Sequence, residues 1–125
     1  MKIAILANSF PPAQTGGAAR IAAWQAGILE QAGHQIHVWH PPVPWFSKPV
    51  FLRLYHHVAD LFPRMDLVKE IRAWQPEILI THNLTGCGFA TSRLVQRRGV
   101  RWVHMLHDVQ LFEPSGRMLD EAQTA

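Results

Sequence analysis

A single cysteine, Cys87, leaves no partner for an internal disulfide, which suits a reducing compartment. Charge is sparse too. Only 17% of the residues are charged against 48% apolar, which is the balance of a globular domain and not of a disordered chain. The basic excess is small, +3 with an isoelectric point near 9.6, and only Arg97, Arg98 and Arg101 lie close together. No nucleic-acid footprint follows from that, so no nucleic-acid partner is expected. No run approaches the length of a membrane span. The opening apolar run, Ile3 to Ala7, is too short for a signal-peptide core and stops at Asn8-Ser9. A cytoplasmic location is the resulting expectation. There are no internal repeats and no low-complexity segments, and 125 residues suffice for one core.

What is present alternates. Lys2 to Ala7 reads as a strand buried on both faces, and it enters a loop, Asn8 to Gly17, with two prolines and two glycines. Ala18 to Ala32 predicts a helix in which Ile21, Trp24, Ile28 and Ala32 recur at helical spacing, closed by Gly33. Gln35 to His40 is a second strand, and the four prolines of residues 41–49 forbid regular structure there. Val50 to Phe62 suits a helix, with a short strand inside it as the alternative. Pro63 is placed for the first turn of the next helix, whose stripe is Leu67, Ile71 and Trp74. Glu77 to Thr81 is a third strand, Gly86 to Arg98 a helix closed by Gly99, and Arg101 to His107 a fourth strand apolar on both faces. The tail after Pro114 has no strong pattern.

Strands alternating with amphipathic helices predict an α/β fold, a Rossmann-like parallel sheet with helices on both faces. In such sheets ligands sit beyond the carboxyl ends of the strands, where the winding reverses. Three segments leave strand ends: Asn8–Gly17, His82–Gly86 and the chain from His107.

Gly16 and Gly17 enter a helix, where free N–H groups and the dipole favour a phosphate or another anion; the alternative is a flexible turn. The spacing matches neither the dinucleotide fingerprint nor a P-loop, which disfavours NAD and ATP. His82 and Asn83, after the third strand, offer donors and acceptors for a sugar hydroxyl; otherwise Asn83 caps a turn and His82 fills space. His107 and Asp108, after the fourth, pair an imidazole with a carboxylate that would orient it, or else close a turn. Cys87 is either a thiolate near a helix start or a small buried apolar group. Eight histidines raise a metal site, but those at 34, 37 and 40 alternate faces of a strand, so none is expected. Val50 to Phe62 could lie on a membrane surface, pack on its own domain or cover an acceptor cleft.

Five phrases in order carry a family resemblance. They are Met1 to Leu6, Phe10-Pro11-Pro12 through Gly16-Gly17-Ala18, Leu29 to Val38, Trp74 to Leu84, and Val103 to Asp108. In these the chain resembles the N-terminal, acceptor-side domain of family-4 glycosyltransferases, a retaining group of GT-B fold. The resemblance covers nearly the whole chain except residues 41–63. It implies sugar transfer from a nucleotide-sugar donor to a glycan, lipid or small-molecule acceptor, with the leaving phosphate as local base and no metal or cofactor. It assigns Gly16 and Gly17 to the loop near the donor diphosphate, His107 to the reaction centre beside the transferred sugar, and His82 and Asn83 to the acceptor side. It also implies a second Rossmann-like domain for the nucleotide. Residues 1–125 would then be one partial domain, inactive alone, with peripheral membrane contact as a lesser partner. A non-catalytic flavodoxin-like or sugar-binding module is the competing reading; a response regulator would want acids where Asn8-Ser9-Phe10 stand.

Overall fold

A computed structural model describes residues 1–12, 17–41 and 49–107. Four strands form one parallel sheet: β1 (Lys2–Leu6), β2 (Gln35–Trp39), β3 (Ile78–Thr81) and β4 (Arg101–His104), in the order β2-β1-β3-β4. Between them run the helices α1 (Gly17–Gln31), α2 (Val50–Ala59), α3 (Met65–Trp74) and α4 (Thr91–Gln96). The architecture is the expected Rossmann-like α/β arrangement.

Alternation along β1 and β3 builds two cores. Ala4, Leu6 and Leu79 face one side and pack with Leu67 and Ile71 of α3 and Val95 of α4. Ile3, Ile5 and Ile80 face the other, where Ala26 and Leu29 of α1 meet them. Helices therefore cover both faces, and β1 is buried from Ile3 to Leu6 because strands flank it and helices cover it. The chain winds from β1 outward to β2, then from β3 outward to β4. The winding reverses between β1 and β3, and the strand ends beyond that point carry the candidate residues.

Several sequence expectations need correction. The sheet-facing side of α1 is made of Ala19, Ala22 and Ala26, while Ile21, Trp24 and Ile28 are exposed, Trp24 to 69%. Small side chains let the helix lie close to the sheet, so the bulky residues take the outer face. No described residue of α2 is buried, and it ends at Ala59 with Asp60 as C-cap; the strand alternative within it is absent. Pro63 precedes α3, whose N-cap is Arg64. The fourth helix starts at Thr91, not Gly86, because Gly86 and Gly88 adopt positive φ of 84° and 77°. The fourth strand stops at His104, and all four of its residues are exposed since it is the edge strand. Gly33 and Gly99, at φ of 89° and 85°, close their helices as expected. Residues 42–48 and the tail after Pro114 lie outside the described residues.

Candidate functional site

The site is built at the carboxyl ends of β1, β3 and β4. Gly17 opens α1 just after β1, and an added Cβ there would meet nothing within 4 Å. The chain itself imposes no steric demand for glycine at this position. Gly16 lies outside the described residues, as does Asp108. His107 follows β4, and the parallel register puts it at the same end of the sheet as Gly17.

His82 binds these parts together. Its backbone N–H continues the ladder to the Leu6 carbonyl at 3.0 Å, which fixes the residue directly beyond β3. Its ring is fully buried. One ring nitrogen, Nε2, lies 3.0 Å from Gln25 Oε1 on α1, and the other, Nδ1, lies 2.6 Å from His107 Nε2. The two imidazoles are nearly parallel, 20° apart, with centroids separated by 4.8 Å. Burial, followed by the neighbouring His107 and His104, pushes His82 down to about 4, so it stays neutral near pH 7. Both ring nitrogens are thus engaged by protein atoms. A sugar hydroxyl reaching His82 itself would have to displace one of them.

Beside it, the Thr81 hydroxyl is fully buried and accepts the Trp102 indole N–H at 2.8 Å. The same hydroxyl is hydrogen-bonded to His104 Nδ1, also at 2.8 Å. Register makes this possible, since Thr81 is directly opposite His104 on β4. The edge strand is anchored to β3 by side chains as well as backbone.

Asn83 uses its Oδ1 to accept the Thr85 N–H at 3.0 Å, the turn-closing role weighed from sequence. The loop behind it is held by Asp60, a buried carboxylate at the end of α2. It accepts the N–H of Gly86 at 2.8 and 3.0 Å and that of Gly88 at 3.1 Å. Gly88 has no room for a side chain, since a Cβ would run into the Phe62 carbonyl oxygen and approach the Arg64 nitrogen to 3.0 Å. Cys87, within this loop, is fully buried, and burial pushes its thiol up to about 12. The S–H points at the Ala7 carbonyl, 3.4 Å away, so the buried apolar reading holds and the thiolate reading fails.

A second hollow of about 310 Å³ opens at the end of β2. Trp39 there donates its indole N–H to Glu70 at 3.1 Å, and Arg64 pairs with Asp66 at 2.6 Å. Among the described residues no group of three or more His, Cys, Asp or Glu side chains is placed to hold a metal ion. No helix among them is long and apolar enough to cross a membrane.

Gln25, Thr81 and Asp60 escaped the sequence reading. Gln25 carries no motif and is 57 residues from its partner. Asp60 sits at the end of an apolar helix, where an acid reads as a solvated cap. An aspartate three residues before Pro63 is the only signal that the sequence offers.

The family model for Glycosyltransferase Family 4 matches residues 15–123. The chain belongs to glycosyltransferase family 4. No curated protein matches it. Within the family match fall all of the candidate residues, Gly16 through Asp108.

Proposed function

We propose that this family-4 domain forms the acceptor side of a retaining sugar transfer from a nucleotide-sugar donor to a glycan, lipid or small-molecule acceptor. The observation that carries the reading is the convergence of three strand ends, where one hydrogen-bonded chain runs from Gln25 through His82 to His107. In this reading His107 contacts the transferred sugar, and Asp108 follows it in sequence. Gly16 and Gly17 bring backbone N–H groups near the donor diphosphate, for which the open space around Gly17 leaves access. Asn83 and His82 stand on the acceptor side. The leaving phosphate serves as local base, so no second carboxylate, metal or cofactor is required. A second Rossmann-like domain supplies the nucleotide pocket, and the exposed apolar residues of α2 are where peripheral membrane contact would be made.

The test combines calorimetry and turnover. The 125-residue chain should bind a sugar acceptor while showing no heat with nucleotide sugars, and transfer should require a second family-4 domain supplied in trans. His107→Ala in that mixture should lower transfer by at least about 100-fold, the scale of lost transition-state contacts. Donor turnover by the chain alone would overturn the reading, and so would unchanged transfer in His107→Ala.

A further inference from the structure

At the amino ends of β3 and β4, the pole of the sheet away from the candidate site, a hollow of about 290 Å³ is lined by Arg72, Gln75, Pro76, Arg98 and Val100. Two chain turns build it. Gln75, left-handed at φ 55°, leads out of α3 toward β3, and Gly99 leads out of α4 toward β4. Pro76 is buried and Val100 half-buried, and they supply the apolar part of the lining.

Two guanidinium groups share this hollow, and among the described residues neither is paired with a carboxylate. Arg72 is half-buried. Its Nη2 donates to the Leu94 carbonyl, which ties it to α4, and its buried Nε–H has no partner among the described residues. A cation so placed has lost part of its water shell and gained only a neutral acceptor, so an anion beside it is attracted more strongly than at an open surface. Arg98 is exposed, and Gln75, also exposed, adds an amide donor. Glu77, next in the chain after Pro76, has a carboxylate oxygen 3.2 Å from the Lys2 N–H. Helix C-termini ordinarily disfavour anions, and both α3 and α4 end here. Their final carbonyls are covered: Trp74 by the Lys2 ammonium at 3.3 Å, Leu94 by Arg72, Val95 by the Arg98 N–H at 3.3 Å, and Gln96 by the Gly99 N–H at 3.0 Å.

We infer that this hollow is a phosphate site, in which Arg72 and Arg98 together hold a phosphate dianion. Two positive charges without a counter-ion match a dianion, whereas a carboxylate would neutralise only one of them. Free phosphate and the phosphate group of a small phosphorylated metabolite share that chemistry. Gly17 opens its helix beyond the carboxyl end of β1, so phosphate bound between Arg72 and Arg98 is separate from any held by the donor loop, and the site is independent of the sugar-transfer reading.

The experiment is a titration of the ¹⁵N-labelled chain with inorganic phosphate, exchanged for chloride at constant ionic strength and followed by backbone-amide and arginine Nε–H NMR signals. Wild type should show saturable shifts at Gln75, Val100 and the Nε–H groups of Arg72 and Arg98, with a dissociation constant on the order of 1 mM. Arg98→Gln should weaken binding by at least about tenfold, the scale of one charge-assisted hydrogen bond. Arg72→Met should do the same. It also strips the Leu94 carbonyl of its donor, so the exposed Arg98 carries the test if that variant does not fold. Glucose 6-phosphate separates the two sources: tighter binding than inorganic phosphate assigns the site to a phosphorylated metabolite, and equal or weaker binding assigns it to phosphate itself. Either result upholds the site. Shifts that never saturate, shifts confined to Gly17 and the first turn of α1, or unchanged phosphate affinity in folded Arg98→Gln would each overturn it. No sugar donor enters the measurement, so loss of the sugar-transfer reading leaves its outcome intact, and the reverse also holds.

Discussion

At residue scale, the burial of His82 has a consequence that reaches beyond the site. An exposed histidine in the unfolded chain binds its proton near 6.5, whereas the native ring is held down to about 4. Between those values the unfolded chain takes up a proton that the native state refuses. Unfolding is therefore favoured as pH falls, and stability declines through the window from about 6.5 to about 4. Urea unfolding midpoints measured across that range should fall more steeply for wild type than for His82→Asn. Parallel curves would show that the native ring takes up its proton as readily as the unfolded chain does. The sequence made part of this visible. His82 and His107 stood out because each follows a strand, but their contact depends on β3 and β4 being neighbours, which pairing order decides and periodicity does not. Gln25 was illegible for a simpler reason: a lone amide on a helix is indistinguishable from a solvated one until the sheet beneath it is known.

At the scale of elements, the loop from His82 to Ala90 behaves as one unit clamped by Asp60. Three short contacts from two backbone N–H groups converge on a single buried carboxylate, and Gly88 sits where no Cβ fits. Replacing Asp60 by Ala strands both donors, at about 1–3 kcal/mol apiece. Gly88→Ala adds left-handed strain to a backbone collision, so a loss of about 2 kcal/mol or more is expected. Gly17→Ala, in open space, should move stability by less than about 1 kcal/mol. Chemical denaturation of the three variants checks the ranking; a Gly88→Ala protein as stable as Gly17→Ala would contradict the packing described. The strands β1 and β3 were legible because both of their faces are apolar. Helix α1 was legible as a helix but not in its orientation, since its alanines carry no strong hydrophobic signal while Trp24 and Ile28 do. Helix α4 was read five residues too early because its glycines look neutral in a pattern until their φ values are known.

At the scale of the whole molecule, two of the surfaces that stand open among the described residues bear on self-association. One is the outer edge of β4, from Arg101 to His104. The other is α2 and its exit, where Phe51, Leu54, Tyr55, Leu61 and Phe62 are each at least 65% exposed. Unpaired strand edges and wide apolar patches both favour self-association. The isolated chain should therefore show a mass in sedimentation equilibrium that rises with concentration, and a constant monomer mass at all concentrations would refute this.

Because every strand points the same way, the amino terminus and the candidate site lie at opposite poles. The Met1 amine sits 3.4 Å from His34 and the Lys2 N–H reaches Glu77, while Gly17 and the His82–His107 pair lie toward the far end of the sheet. A linker joined at Met1 would hold the protein to a bead or sensor chip with its binding end turned outward. Ligand screening on such a support needs no redesign of the fold.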